Sequence, residues 1–164
     1  MGQMKTVLLL RHGKSKRGPE YESDAERPLA KRGKRDASRI GEFLAEHDLL
    51  PDLIVSSPAE RARTTAQRCA DAADYQGDIR YEGSLYSGGE EAYLELLWSL
   101  DDTVGRVLCV GHNPDIEAAI ETLTHQYASM PTAALARIDF DTDLWVELLQ
   151  VGGRLAWVQL PREL

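Results

Sequence analysis

Short apolar runs alternate with amphipathic stretches along the chain. Thr6–Leu10 (TVLLL) is apolar after its first residue, the pattern of a strand buried on both faces. Residues 13–28 are polar, carry Gly18-Pro19 and several charges, and read as a loop. Over 29–47, Leu29, Ile40, Phe43 and Leu44 supply an apolar stripe that predicts a helix, although Gly33 and Gly41 weaken it. Leu53–Ser56 predicts a second strand, Pro58–Ala73 a second helix and Asp78–Tyr81 a short edge strand. Residues 90–100 place Tyr93, Leu94, Leu97 and Leu100 on one face of a third helix. Arg106–Val110 reads as another buried strand and Pro114–Leu123 as another helix. Ala134–Phe140 and Leu155–Leu160 read as two more strands, with a helical turn over Leu144–Leu149 between them.

Strands alternating with helices imply a mostly parallel sheet covered on both faces. No repeat, low-complexity tract or linker interrupts the 164 residues, so 1–164 is expected to form a single domain. In such α/β sheets ligands bind beyond the carboxyl ends of the strands, which makes the strand exits the places to search.

Charge narrows the partners. A formal net charge of −8 argues against general nucleic-acid binding but leaves room for a small cationic pocket. No segment is long and apolar enough to span a membrane, and no signal-like run opens the sequence, so no membrane partner and a cytoplasmic location are expected. Cys69, in a predicted helix, and Cys109, in a predicted strand, read as buried reduced thiols.

Three strand exits carry candidate chemistry. The first strand runs straight into Arg11-His12-Gly13. The second leads into Ser57-Pro58-Ala59-Glu60-Arg61, where Ser57 reads as an N-cap, Pro58 as the first helical residue and Glu60 as the partner of a capping box. Arg61 would then sit in the first turn, where a cation opposes the helix dipole and suggests an anionic partner. The fourth strand ends in Gly111-His112, with Asn113 able to cap the next helix and Pro114 to open it. A lone histidine at a strand end is more often structural than catalytic, and Arg63, Arg68, His47 and His125 keep that plain reading. The quartet Arg11, His12, Arg61 and His112 falls where this fold class places its ligands.

That quartet suits a phosphoryl group. Guanidinium forks match phosphate oxygens, and a neutral imidazole can attack phosphorus and form a covalent intermediate. Catalysis by positioning and charge needs no metal. Two histidines flanked by two arginines would repel zinc, and no carboxylate or cysteine joins them at ligand spacing. No cofactor is expected.

These blocks together resemble the histidine phosphatase superfamily, the fold of the cofactor-dependent phosphoglycerate mutases. Arg11-His12-Gly13 matches its RHG signature. The stretch Ser57 to Ala66 matches its second-arginine setting, and Gly111-His112-Asn113-Pro114 its second histidine. Within the superfamily the chain is most similar to SixA-type phosphohistidine phosphatases, through Glu26-Arg27-Pro28-Leu29 with Gly33, Met130-Pro131-Thr132-Ala133 and the closing Pro161-Arg162-Glu163-Leu164. The resemblance runs from Thr6 to the C-terminus. It implies a three-layer α/β/α sandwich without a separate lid domain. It makes His12 the phosphorylated nucleophile, with Arg11, Arg61 and His112 binding the phosphoryl oxygens and Lys14 and Ser15 extending the first loop.

One departure bears on substrate. Larger members carry a glutamate proton donor in an insertion near the third strand, whereas here that region is short. Glu82, Glu90 and Glu91 are its nearest acids, and all three read more simply as solvated or helix N-terminal charges. An alkyl alcohol leaves poorly without a proton, while the imidazole of phosphohistidine leaves neutral when its other nitrogen is protonated. Three expectations follow: a phosphatase for phosphohistidine on a protein, a broader phosphatase for small phosphate esters, or a non-catalytic module binding phosphate or a phosphoprotein.

Overall fold

Six strands, β1 (Lys5–Arg11), β2 (Leu53–Ser56), β3 (Ile79–Tyr81), β4 (Arg106–Gly111), β5 (Leu135–Phe140) and β6 (Arg154–Gln159), form one sheet in a computed structural model that describes residues 4–164. Their order is β3-β2-β4-β1-β5-β6. The β3-β2, β2-β4 and β4-β1 pairs are parallel, and β5 runs antiparallel to both β1 and β6. The mostly parallel sheet expected from the alternation is therefore present, with one reversed strand.

Alternation within the central strands sorts side chains to two cores. Val7, Leu9, Val55, Val107 and Cys109 point to one face, where α4 (Gly89–Trp98) and α5 (Asp115–Thr124) bring Tyr93, Leu97, Ile116 and Ile120. Leu8, Leu10, Ile54, Leu108 and Val110 point to the other, against Ile40 and Leu44 of α1 (Lys31–Glu46) and Ala62, Ala66 and Cys69 of α2 (Glu60–Ala73). Each fully buried aliphatic side chain contributes roughly 1.5–3 kcal/mol of transfer free energy, so covering both faces is what holds the three layers together. Both cysteines are free and buried, and burial pushes each thiol up to about 12, which suits inert core residues.

The remaining helices are short: α3 (Ser84–Ser87) follows β3, and α6 (Leu148–Val151) continues a 3₁₀ turn over Trp145–Glu147. The expected helical turn at 144–149 thus spans two short segments. The predicted loop 13–28 holds a single 3₁₀ turn at Asp24–Glu26. Leu29 lies outside α1 and pairs instead with Ser15 in an isolated bridge.

Gly33 and Gly41 now have reasons. A Cβ on Gly41 would meet the carbonyl oxygen of Cys69, so it lets α1 and α2 lie close. A Cβ on Gly33 would strike the Lys14 carbonyl, and one on Gly13 would come within 2.7 Å of the Gly33 carbonyl. The loop that leaves β1 is pressed backbone to backbone on α1.

Gly33→Ala tests that contact. Alanine normally favours a helix interior by up to about 1 kcal/mol. Here the collision with Lys14 should reverse the sign, giving a net loss of about 1–3 kcal/mol and a melting temperature lower by several degrees. Thermal unfolding checks this; a stabilised variant would show that the two backbones are not in firm contact.

Candidate active site

The ladder fixes the levels of the strand ends. Arg11 pairs with Gly111 across β1-β4, and Ser56 with Val110 across β2-β4. His12, His112 and Ser57 each lie one residue beyond these ends. Their backbones continue the ladder: His12 N–H donates to the Gly111 carbonyl at 3.0 Å and Ser57 N–H to the Val110 carbonyl at 2.9 Å. The His12 and His112 rings come to 5.2 Å between centroids.

Their side chains meet at a cavity of about 550 Å³ whose walls include Arg11, His12, Lys14, Ser15, Arg61 and His112. All six residues expected at the site thus reach one cavity. His12, Arg61 and His112 form its buried floor, at 6–7% exposure each, and Lys14 is exposed at its mouth. Arg63 is an exposed side chain hydrogen-bonded to the Pro58 carbonyl, and His47 rests on the Phe43 ring. Neither lines the cavity.

His12 Nδ1 lies 2.8 Å from the carbonyl oxygen of Gly13. A carbonyl only accepts, so Nδ1 carries the hydrogen and Nε2 keeps its lone pair. Gly13 N–H donates to Thr65 Oγ1 at 3.0 Å, and the Thr65 hydroxyl donates to the Arg61 carbonyl at 2.7 Å. One threonine of α2 thereby ties the His12 loop to the turn that carries Arg61.

His112 Nε2 lies 2.8 Å from Ser57 Oγ, and Ser57 Oγ accepts the Ala59 N–H at 3.2 Å, which leaves its hydroxyl hydrogen for Nε2. With the Ser57 hydroxyl donating to Nε2, the proton of a neutral His112 sits on Nδ1. Arg11 is braced by the Met130 carbonyl, which accepts from its Nη1 at 3.1 Å and from Asn113 Nδ2 at 2.8 Å.

These contacts correct the capping expectations, the Glu60 capping box included. α2 begins at Glu60 with Ala59 as its N-cap, so neither Ser57 nor Pro58 holds the place expected of it, and no side-chain cap bond forms. The serine hydroxyl is used on His112 instead. Pro114, not Asn113, is the N-cap of α5: Asn113 Nδ2 donates to the Met130 carbonyl and the Glu117 carboxylate, and its Oδ1 accepts no backbone N–H. Arg61 still falls in the first turn of its helix.

Sequence reasoning missed Asp24, Arg27 and Tyr86. The Asp24 carboxylate accepts Arg61 Nη2 at 2.8 Å, Tyr86 OH at 2.9 Å and Arg27 Nε at 3.0 Å, while its carbonyl accepts Arg61 Nη1 at 2.8 Å. Burial alone would raise this carboxyl. The hydrogen bonds from Arg61 and Tyr86 and the two guanidinium charges hold it down at about 2. Arg27 sits in the Arg-Pro-Leu element, and that pattern was the one available signal.

With both Arg61 Nη groups so engaged, Arg61 Nε is buried without a protein partner, as are Arg11 Nε and His112 Nδ1. Two guanidinium side chains and a second histidine lining one cavity with a His12 whose Nε2 is free suit an anion. Desolvation keeps the imidazoles neutral, moving His12 down to about 3 and His112 to about 4, and it also lowers Arg11. Among the described residues no cluster of metal-ligating side chains is present.

The pattern of the Histidine phosphatase superfamily (branch 1) matches residues 7–85. A protein structure from Agrobacterium tumefaciens, provisionally designated phosphohistidine phosphatase SixA, is 32% identical with a TM-score of 0.80, covering 96% of this chain and 98% of that one. The chain belongs to the histidine phosphatase superfamily. The structure of the protein histidine phosphatase SixA complexed with tungstate shares the fold at 21% identity and a TM-score of 0.83, over 96% of this chain and 98% of that one. An uncharacterized Mycobacterium leprae protein is 30% identical over 154 residues, covering 92% of each chain. Shared family and fold support phosphatase activity on phosphate-bearing substrates.

Neutral imidazoles in a buried site give a pH signature. A histidine whose pKa falls on folding favours the folded state above pH 6.5, and that contribution is lost as pH drops toward its folded value. Imidazole NMR of the free protein should show His12 and His112 uncharged from pH 8 to about 5, with stability declining below pH 6.5. A titration of His12 near 6.5 would contradict the desolvated site.

Proposed function

We propose that the protein is a metal-independent phosphatase that works through a phosphohistidine intermediate on His12 and removes phosphate from phosphohistidine on a protein. The observation that carries this reading is the convergence of Arg11, Arg61 and His112 on one cavity with the buried His12, whose Nε2 is free. His12 Nε2 attacks phosphorus as the bond to the leaving group breaks. Arg11, Arg61 and His112 hold the non-bridging oxygens, and water then attacks the phosphoenzyme to release phosphate and restore His12. Lys14 and Ser15 serve the mouth of the site.

The leaving group supports phosphohistidine. Glu82 is paired with Arg80 at 2.6 Å, Glu90 accepts the Thr122 hydroxyl at 2.7 Å, and neither they nor Glu91 line the cavity. Asp24, held ionised, has no proton to give at neutral pH. A phosphoimidazole protonated on its other nitrogen needs no such donor.

A second reading, a broader phosphatase for small esters, is favoured by Asp115. It lines the cavity, and burial together with the Glu90 charge pushes its carboxyl above the ordinary range. A carboxyl so placed can protonate an alkoxide.

Two experiments separate these outcomes. His12→Ala should abolish both turnover and an acid-labile, alkali-stable phosphoenzyme. Arg61→Ala should lower kcat/KM about 10²–10³-fold, and chelators should leave the wild-type rate unchanged. Near wild-type turnover by His12→Ala, or rescue by added metal, would reject the mechanism. In the second, phosphohistidine and alkyl phosphates are compared on wild type and Asp115→Asn. Alkyl phosphates should be slower by about 10²–10⁴-fold, with little change in phosphohistidine turnover on substitution. Comparable wild-type rates together with a collapse of alkyl turnover in the variant would favour the ester reading.

A further inference from the structure

The floor and the rim of the cavity differ in charge and exposure. The floor is buried, cationic or neutral. At the rim the Asp24 side chain is about half exposed, at 52%, while still lining the same cavity. A phosphoryl group held by the floor must have its substituent pointing outward, toward that rim. Three donors from separate segments fix Asp24 there: Arg61 of α2, Tyr86 of α3 and Arg27 of the loop. Tyr86 also packs edge-on against His112, with ring centroids 5.5 Å apart, so the rim and the floor are mechanically joined.

The hydrogen bonds divide unequally between the carboxylate oxygens. Oδ2 takes two donors, Arg61 Nη2 and Tyr86 OH, whereas Oδ1 takes Arg27 Nε alone. A carboxylate oxygen accepts two hydrogen bonds, so Oδ1 has capacity for one more. The structure assigns Asp24 as a specificity-determining residue, whose carboxylate accepts the N–H of a protonated imidazole leaving group. This deepens the phosphohistidine reading and rests on it.

The chemistry balances without another reactant. The bound phosphoimidazole carries a proton on the nitrogen remote from phosphorus. As His12 Nε2 bonds to phosphorus, the P–N bond breaks and its electron pair stays on the departing nitrogen. The departing imidazole is then neutral and keeps its remote proton. Asp24 holds that proton in place before transfer, which raises the fraction of bound substrate in the reactive form. Arg27 and Arg61 temper the carboxylate's charge, and Arg11, Lys14 and Arg17 also line the cavity, so the discrimination comes from the directed N–H bond more than from the long-range field. A phenolate or alkoxide has no N–H to offer and meets a fixed negative charge.

The test compares N-phosphoimidazole with 4-nitrophenyl phosphate on wild type and Asp24→Asn, with inhibition by inorganic phosphate and thermal melting confirming an intact pocket. The ratio of kcat/KM for phosphoimidazole to that for the aryl ester should fall about tenfold or more in the variant, the size of a lost charge-assisted bond. The alkaline limb of the phosphoimidazole profile should also move to lower pH. An equal loss on both substrates would mean that Asp24 only positions Arg61, and an unchanged ratio would mean that it reads nothing; either overturns the assignment. Wild type that turns over the aryl ester but not phosphoimidazole would instead remove the phosphohistidine reading, and the role of Asp24 with it.

Discussion

Parallel pairing of β1 and β2 on either side of β4 is the constraint on which the site depends. Because β4 lies between them, the ends of all three strands are adjacent, and the ladder sets their levels within a residue of one another. Arg11, His12, Ser57 and His112 owe their proximity to that register, and Arg61 follows one turn later. A slip of one residue in β1 would turn Val7 and Leu9 into the core that now takes Leu8 and Leu10, so the apolar pattern itself protects the register. Catalytic geometry and core packing are specified by the same alternation.

Backbone contacts carry this order past the strand ends. Gly13 against Gly33, with the Thr65 hydroxyl on the Gly13 N–H, leaves the His12 loop little freedom. The Gly13 carbonyl can then select the His12 tautomer with Nε2 free. Burial does the rest of the electrostatic work. It removes charge from both imidazoles beside the guanidinium groups of Arg11 and Arg61, so the nucleophile stays unprotonated inside a pocket still suited to an anion.

The sequence made much of this legible, for identifiable reasons. Buried strands such as Thr6–Leu10 and Arg106–Val110 are apolar runs broken sharply by polar residues, so both the strands and their exits could be read. The cavity quartet followed from the position of those exits. What escaped notice was set by tertiary contact. Ser57 reads locally as a cap, yet its hydroxyl faces His112, because α2 starts at Glu60. Asp24, Arg27 and Tyr86 lie far apart along the chain, and Tyr86 belongs to a four-residue helix too short to leave a periodic signal. Gly33 looked like a weakness in α1 because the Lys14 backbone that requires it is nineteen residues away.

Charge along the chain completes the physical picture. Residues 1–39 hold eleven of the nineteen lysines and arginines but five of the twenty-seven acids, so a chain of net −8 keeps its positive charge in the segment that builds the His12 loop and the start of α1. Lys31, Arg32 and Lys34 occupy the first turns of α1, which has no acid in its first turn to answer the helix dipole. That arrangement costs a little helix stability and concentrates positive potential near the cavity mouth, where Lys14 and Arg17 also lie. Within about 10 Å, the screening length at 0.1 M salt, such a patch draws a phosphorylated group inward. Asp24 stands inside this field as a fixed acceptor, so attraction of the phosphate and scrutiny of its leaving group fall to different residues of one loop.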